Sequence, residues 1–435
     1  TIDCPERLQP PPTPTGSRKY EPPRTMRTNT TDTAHRMTPK ERRASLSLAG
    51  IFALRMLGNF LILPVFAVYA HQLPGGDDHF WVGVTLGIYG LTQGILQIPY
   101  GWASDRWGRK PIIVLGLVIF AIGSFIAACA DHLGVVMLGR ALQGAGAISA
   151  AVTAFISDAV RERVITKAMA LVGASIGLTF ALSLVIAPPL TELWGVSGLF
   201  TITGILAVSA IGVVRWVTPP EEPKTGRSEV EAHRPWQEIA LDPQLLRLNL
   251  GIFILHAVLT ALFVVVPGRL ESMGLPVLHH WYIYLPAVLF GFAVMMKPIG
   301  WAERAGAVTK LQRIIILVMT VVFVLFVFLM HSVWEIAFLL ALFFGCFNIL
   351  EATLPGLISR ASPKADKGLA LGIYNTTQNI GLFVGGALGG WISEHFSAEA
   401  VFAAAAFAML IWFVGARNLK EPRRTTHETG EALDV

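Results

Sequence analysis

The chain has 435 residues, of which 53% are hydrophobic and only 14% charged, a balance that belongs to polytopic membrane proteins rather than soluble globular ones. Its net charge of +5 is spread over short connections instead of one basic patch, which excludes a nucleic-acid surface. Cys4, Cys129 and Cys346 show neither a pairing pattern nor metal-ligand spacing, so no disulfide and no metal site is expected.

Taken in order, residues 1–36 are rich in Pro, Thr and Arg and almost free of apolar side chains. They are expected to be a disordered tail. No cleavable signal peptide precedes the first apolar span, which is expected to stay as the first membrane helix. Apolar stretches long enough to cross a bilayer then fall at 45–70, 80–102, 111–130, 133–157, 166–190 and 196–217. A polar, Pro-rich linker at 218–244 separates these from six more, at 245–267, 280–301, 311–330, 333–358, 367–392 and 398–417. The reading is an all-α polytopic membrane protein, with a six-helix bundle at 37–217, a second at 245–417 and a short tail at 418–435.

The connections set the orientation. Arg42 and Arg43, the 101–111 stretch, Arg161, Arg163 and Lys167, Lys224, Arg227 and Arg234, Arg304, Lys310 and Arg313, Arg360, Lys364 and Lys367, and Lys420, Arg423 and Arg424 all fall on one side. The alternate connections hold almost no Lys or Arg, with Arg269 as the exception. An excess of basic residues marks the cytoplasm, so both termini are expected there.

Between the second and third spans lies Gly101-Trp-Ala-Ser-Asp-Arg-Trp-Gly-Arg-Lys-Pro111. A run this polar cannot sit in hydrocarbon as a loop. Gly101 and Gly108 permit sharp turning or close backbone approach, and Asp105 suits a helix amino end or an arginine fork. The plain alternative is an ordinary basic inside loop. The run resembles the signature G-x-x-x-D-R-x-G-R-K of the major facilitator superfamily, met here by Gly101, Asp105, Arg106, Gly108, Arg109 and Lys110. Met37-Thr-Pro-Lys-Glu-Arg-Arg, Arg55-Met-Leu-Gly and Gly87-Ile-Tyr-Gly-Leu-Thr-Gln narrow the resemblance to a branch of bacterial inner-membrane transporters. It implies twelve helices as two pseudo-symmetric six-helix halves, in the bacterial inner membrane. It also implies a gate in which Arg109 pairs with Asp158 and Asp105 approaches the amino end of helix 11. Some members of that branch carry a small soluble domain after the last helix; none is expected here. The halves leave a trace in the letters: Pro99-Tyr-Gly-Trp-Ala returns as Pro298-Ile-Gly-Trp-Ala, and Asp105-Arg-Trp-Gly as Glu303-Arg-Ala-Gly, as repeated bundles require.

Charged groups at bilayer depth are costly and face a partner or a cavity. They are Arg55, Arg140, His256 and Glu351, with Lys297 near a span end. Arg140 lies in an R-x-x-Q-G run that the resemblance links to proton coupling or cavity electrostatics, against a buried arginine satisfied by neighbouring carbonyls. A guanidinium does not titrate usefully, so Arg55 and Arg140 can only bias a nearby acid or bind an anionic group. A carboxyl at depth can load and release a proton as its surroundings change, which makes Glu351 the leading proton site. Its structural alternatives are an ion pair with Lys297 or a pore-end position in cytoplasmic water. His256 is a proton-coupling candidate because an imidazole can titrate near neutrality, against simple packing. Tyr89, Gln93 and Gln97 share one helix face, and Tyr374, Asn375 and Gln378 another. With Asn59, Gln143 and Asn348 they are candidates to line a cavity or contact substrate, against plain interhelical bonding.

The expectation is a monomeric secondary transporter that exports a small solute by proton antiport, with protons, lipid and solute as partners and no cofactor. The Gly-Pro ending that the resemblance leads one to expect on helix 5 is here Ala187-Pro188-Pro189. The alternatives are a uniporter or importer, including a metal importer, and a non-transporting sensor. No Gly-x-x-x-x-Gly-Lys-Ser/Thr run supports an ATP-driven pump.

Overall fold

The computed structural model describes residues 37–221, 235–363 and 366–421, without the side chains of residues 162, 163, 166 and 170. The 1–36 tail, residues 222–234 of the 218–244 linker and the 418–435 tail beyond 421 therefore lie outside the described residues.

The first half holds α1 (Pro39–Phe60), α2 (His79–Trp107), α3 (Arg109–Ala128), α4 (Leu133–Ala145 and Ser149–Ala159), α5 (162–194) and α6 (196–212). The second holds α7 (Pro243–Ser272), α8 (Trp281–Ala305), α9 (Val308–Phe328), α10 (Val333–Ala361), α11 (Lys367–His395) and α12 (Ala398–Ala416). These are the twelve expected spans, with their ends redrawn. Eight helical stretches, with α5 and α6 joined as one, are individually long and apolar enough to cross a membrane. The helices that fall short are α1, whose first turns carry Lys40, Glu41, Arg42 and Arg43, and α2 and α11, which trade Leu and Val for glycine and amides.

Three boundaries depart from the sequence expectation. The first span is not one helix over 45–70. It starts at a Thr38–Glu41 capping box and breaks after Phe60, because Pro64 lacks an N–H and its ring crowds the preceding carbonyls. The fourth span breaks at Gly146, whose ψ of 51° is not helical. The charged run at 101–111 is not a loop. α2 continues through Trp107 and α3 starts at Arg109, so Gly108 alone turns the chain, at φ 97°.

The outermost described residues, near 37 and 421, lie at one end of the bundle, here the terminal end. Arg43 Nε donates to Val217 O at 2.8 Å, and Gln244 Nε2 to Lys420 O at 2.6 Å, which ties the first and last helix of each half together. Exposed tryptophans ring both ends, with Trp102, Trp107, Trp216 and Trp301 at the terminal end and Trp81, Trp194, Trp334 and Trp391 at the distal end. Indoles sit at such interfaces because they are apolar bodies with one polar edge.

The halves are joined distally. One core cluster runs from the second half into Leu61–Ala70, Val82, Leu86, Phe180 and Leu184 of the first, whereas Leu48, Ile113, Ile148, Phe155 and Val214 form a separate core at the terminal end. α2 and α11 press together on glycine. A methyl on Gly83 would lie 2.0 Å from Gly386 O, one on Gly87 2.6 Å from Phe383 Cα, and one on Gly94 3.2 Å from Thr376 O. The gap thus widens toward the terminal end. Distally, His79 donates its backbone N–H to Glu394 at 3.0 Å, and the two side chains meet at 2.7 Å. Those bonds hold the Glu394 carboxyl below its ordinary range, the backbone N–H foremost. Phe180 closes the centre, with ring centroids 5.0 Å from Phe60, 6.5 Å from Phe263 and 5.9 Å from Phe344.

Candidate functional site

At the terminal end, Arg109 is buried and reaches three ways. It lies 2.8 Å from Asp105 on α2 and 2.9 Å from Asp158 on α4, and it donates to Ser104 Oγ at 2.7 Å. One guanidinium so fastens α2, α3 and α4, because its donors fork in a plane. Arg106 instead stacks over Trp102 at 5.5 Å. The amino end of α3 is covered by Glu221, which accepts from Arg109 N at 2.9 Å and Lys110 N at 2.6 Å, while Lys110 Nζ donates to Thr218 O at 2.7 Å. A carboxylate belongs there, since the first amides of a helix lack internal partners and carry partial positive charge.

The second half repeats the plan with different letters. Glu421 accepts from Val308 N at 3.1 Å and Thr309 N at 2.8 Å, and Gly306 turns the chain at φ 61°. The link across the helix ends is Glu303 to Arg360, a two-pronged pair at 3.0 and 3.1 Å. Here the acid stands on α8 and the base on α10, whereas in the first half α4 carries an acid.

At mid-depth the halves differ in charge. Arg55 and Arg140 are each 1% exposed. Arg55 donates to Gln93 Oε1 at 2.7 Å and Ser149 Oγ at 3.1 Å; Arg140 donates to Asn59 Oδ1 and Gln143 Oε1, both at 2.9 Å. Tyr89 lies between them, 5.6 Å from Arg55 and 4.8 Å from Arg140. Every partner is neutral, so amide oxygens and an aromatic face carry these cations. Gln143 is held in turn by Ser124, to whose Oγ its Nε2 donates at 2.8 Å.

Across from them is a carboxylate. Glu351 on α10 has a side chain 36% exposed despite its place within the span, and it lies 3.8 Å from His256 Nε2. The Gln378 amide bridges the two, with Nε2 at 2.7 Å from His256 Nε2 and 3.4 Å from Glu351 Oε1. His256 Nδ1 faces Ile252 O at 3.3 Å, the arrangement of a neutral imidazole that accepts from Gln378. The Glu351 Oε2, Tyr374 hydroxyl and Asn348 Nδ2 are buried and have no hydrogen-bond partner among the described residues.

A family model described as Major Facilitator Superfamily matches residues 48–319 and 300–433. The chain belongs to the major facilitator superfamily. Within this transporter family it is 42% identical to the inner membrane transport protein YajR of Escherichia coli over 392 residues, which is 89% of this chain and 86% of that one. It is 30% identical to the quinolone resistance protein NorA of Staphylococcus aureus over 213 residues, about half of either chain (48% and 51%). Among solved structures, a bacterial homologue of the human lysosomal transporter Spinster superposes with a TM-score of 0.70 at 15% identity, covering 90% of this chain and all of the other (100%). A superfamily member of this kind is a multi-pass membrane transporter and not an enzyme.

The residues expected from the sequence separate into groups. Asp105, Arg109 and Asp158 do meet, and Gly108 is the turn. Asn59, Gln93 and Gln143 spend their oxygens on the two arginines, so they hold charge rather than offer it to a cavity. Gln378 and Glu351 come together with His256. Lys297, weighed as an ion-pair partner of Glu351, makes no such pair among the described residues. The buried Gln97 leaves its Oε1 unpartnered, while Asn375 accepts at its backbone oxygen from Asn379 at 2.7 Å. Sequence reasoning missed Glu221, Glu421, Ser124 and Ser149. The first two had a signal, an acid just beyond the last span of each half; the serines had none.

Proposed function

We propose that the chain exports a small solute in exchange for protons, by alternating access between its two halves, with the terminal end facing the cytoplasm. The observation that carries this is Glu351. It is a carboxylate within a span, its side chain partly exposed and its Oε2 buried, bridged by one amide to a neutral histidine, with no buried guanidinium beside it among the described residues. Such a group can give up a proton on one face of the membrane and take one on the other as its neighbours change. The two cations are sealed behind Tyr89 and neutral amides. The charge offered to a solute is therefore negative, which favours a solute bearing a cationic or hydrogen-bond-donating group beside an apolar body. The partial likeness to a quinolone resistance protein supports the export direction, and the proton gradient would serve as the energy source in place of a cofactor.

The test uses proteoliposomes loaded with a pH dye and challenged with candidate solutes one class at a time. Solute-dependent proton movement that disappears in Glu351→Gln, while solute binding persists, is the expected outcome. Solute uptake without proton movement would replace antiport by uniport. Proton movement undiminished in Glu351→Gln would remove that residue as the proton site.

A further inference from the structure

We propose that the outer face of α1 holds one anionic phospholipid, its headgroup on Arg42 and Arg43 and an acyl chain in a trough between α1 and α5–α6. Two hollows meet on this face. The first, of about 440 Å³, is lined by Pro39, Arg42, Arg43 and Val217 and shares Leu46 and Ser47 with the second. The second, of about 420 Å³, continues past Gly50 and Leu54 to Leu57, with Leu182 opposite.

The chemistry changes along this path in the order that it changes along a lipid. At the terminal end both guanidiniums are exposed. Arg43 is steadied by Val217 O at 2.8 Å and Trp216 O at 3.4 Å, and Arg42 has no ion-pair partner among the described residues. The exposed Trp216 beside them marks the headgroup plane. Deeper, the two hydroxyls on the path are turned inward, since Ser47 Oγ bonds Ala44 O at 3.1 Å and Thr179 Oγ1 bonds Ser175 O at 2.8 Å. What remains to face the trough is apolar. Arg43, Leu46, Ser47, Gly50, Leu54 and Leu57 recur at helical spacing, so they form one stripe. At about 1.5 Å per residue the stripe runs roughly 21 Å from Arg43 to Leu57. That is a headgroup plus one leaflet of a hydrocarbon core about 30 Å thick. Gly50 leaves the trough open, with no atom within 4 Å of where its Cβ would stand. Charge selects the occupant, because two arginines at headgroup depth favour an anionic lipid by about 1 kcal/mol each, or about fivefold per residue.

The experiment reads the thermal midpoint of the purified full chain in detergent as phosphatidylglycerol, phosphatidylcholine or glycerol phosphate is added, with bound lipid counted by native mass spectrometry. Phosphatidylglycerol should raise the midpoint and remain as a single bound copy; phosphatidylcholine should do so far less. Arg42→Gln should reduce that preference about fivefold. Gly50→Leu, which fills open space, should expel the lipid and leave the fold unchanged. No preference for phosphatidylglycerol in the wild type, or retention of the lipid by Gly50→Leu, would overturn the proposal. So would a shift produced by glycerol phosphate alone, which would mark an anion site with no acyl component. The readouts use no transported solute, so they stand apart from the antiport reading.

Discussion

Glu221 and Glu421 hold matching positions in the two halves: each follows the last helix of its half and turns back to cover the amino end of that half's third helix. The match fixes the exits of α6 and α12 against the bundle. Glu221→Gln and Glu421→Gln should each cost about 1 kcal/mol of stability, the ordinary worth of a charged amino-terminal cap. The two share no partners, so the double variant should lose the sum. Denaturation midpoints of the single and double variants in detergent would check this; strong non-additivity would show that the halves communicate through these caps.

Arg109 is the clamp of three helices. Arg109→Gln strips two carboxylates of their cation, yet both acids are nearly half exposed, at 46% and 47%. The loss should therefore fall below the about 3–5 kcal/mol typical of a fully buried pair. Arg109→Lys keeps the charge but cannot fork, and should recover less than half of it. Unfolding midpoints for the two variants test this, and full rescue by lysine would mean that only charge matters.

The pairing of Glu41 with Arg161 gives a pH dependence whose sign is fixed. The Arg161 guanidinium foremost holds the Glu41 carboxyl at about 2, against an ordinary 4.5, so the folded chain favours the ionised form. The stabilisation is complete above 4.5 and is lost as pH falls toward 2. Wild type should be more stable than Glu41→Gln at neutral pH, and the gap between their thermal midpoints should close on acidification through that window. A gap that stays constant would show that the pair contributes nothing through its charge.

The distal closure rests on bare backbone. Gly83→Ala sets a methyl 2.0 Å from the Gly386 carbonyl oxygen, and neither backbone can yield cheaply. The halves should part at that end. A cysteine placed at the buried Asn379, in a chain whose Cys4, Cys129 and Cys346 have been replaced by serine, should react several-fold faster with an impermeant thiol reagent. Unchanged reactivity would locate the closure elsewhere, with Phe180 as the next element to alter.

Much of this architecture was legible in the letters. Hydrocarbon thickness dictates how long an apolar run must be, so the twelve spans could be counted before any contact was known. The charged run around Asp105 and Arg109 likewise announced a terminal-end cluster, since three positives and an acid cannot sit in lipid unpaired. What the letters misplaced was local. The 101–111 run reads as a loop by polarity, but Arg109 and Asp105 are satisfied one turn apart, which lets the helices run up to Gly108 on either side.

The sequence by itself determined the membrane class, the repeat of two halves and the identity of the charged groups at depth, because each of these follows from transfer free energies that act residue by residue. Only the tertiary structure decided which neighbour each charge has. It placed both arginines among neutral amides around Tyr89, joined Glu351 to His256 through Gln378 rather than to Lys297, and closed the halves at the distal end through Gly83 and Gly386. Those outcomes depend on distances between helices far apart in the chain, and no periodicity along a single helix encodes them.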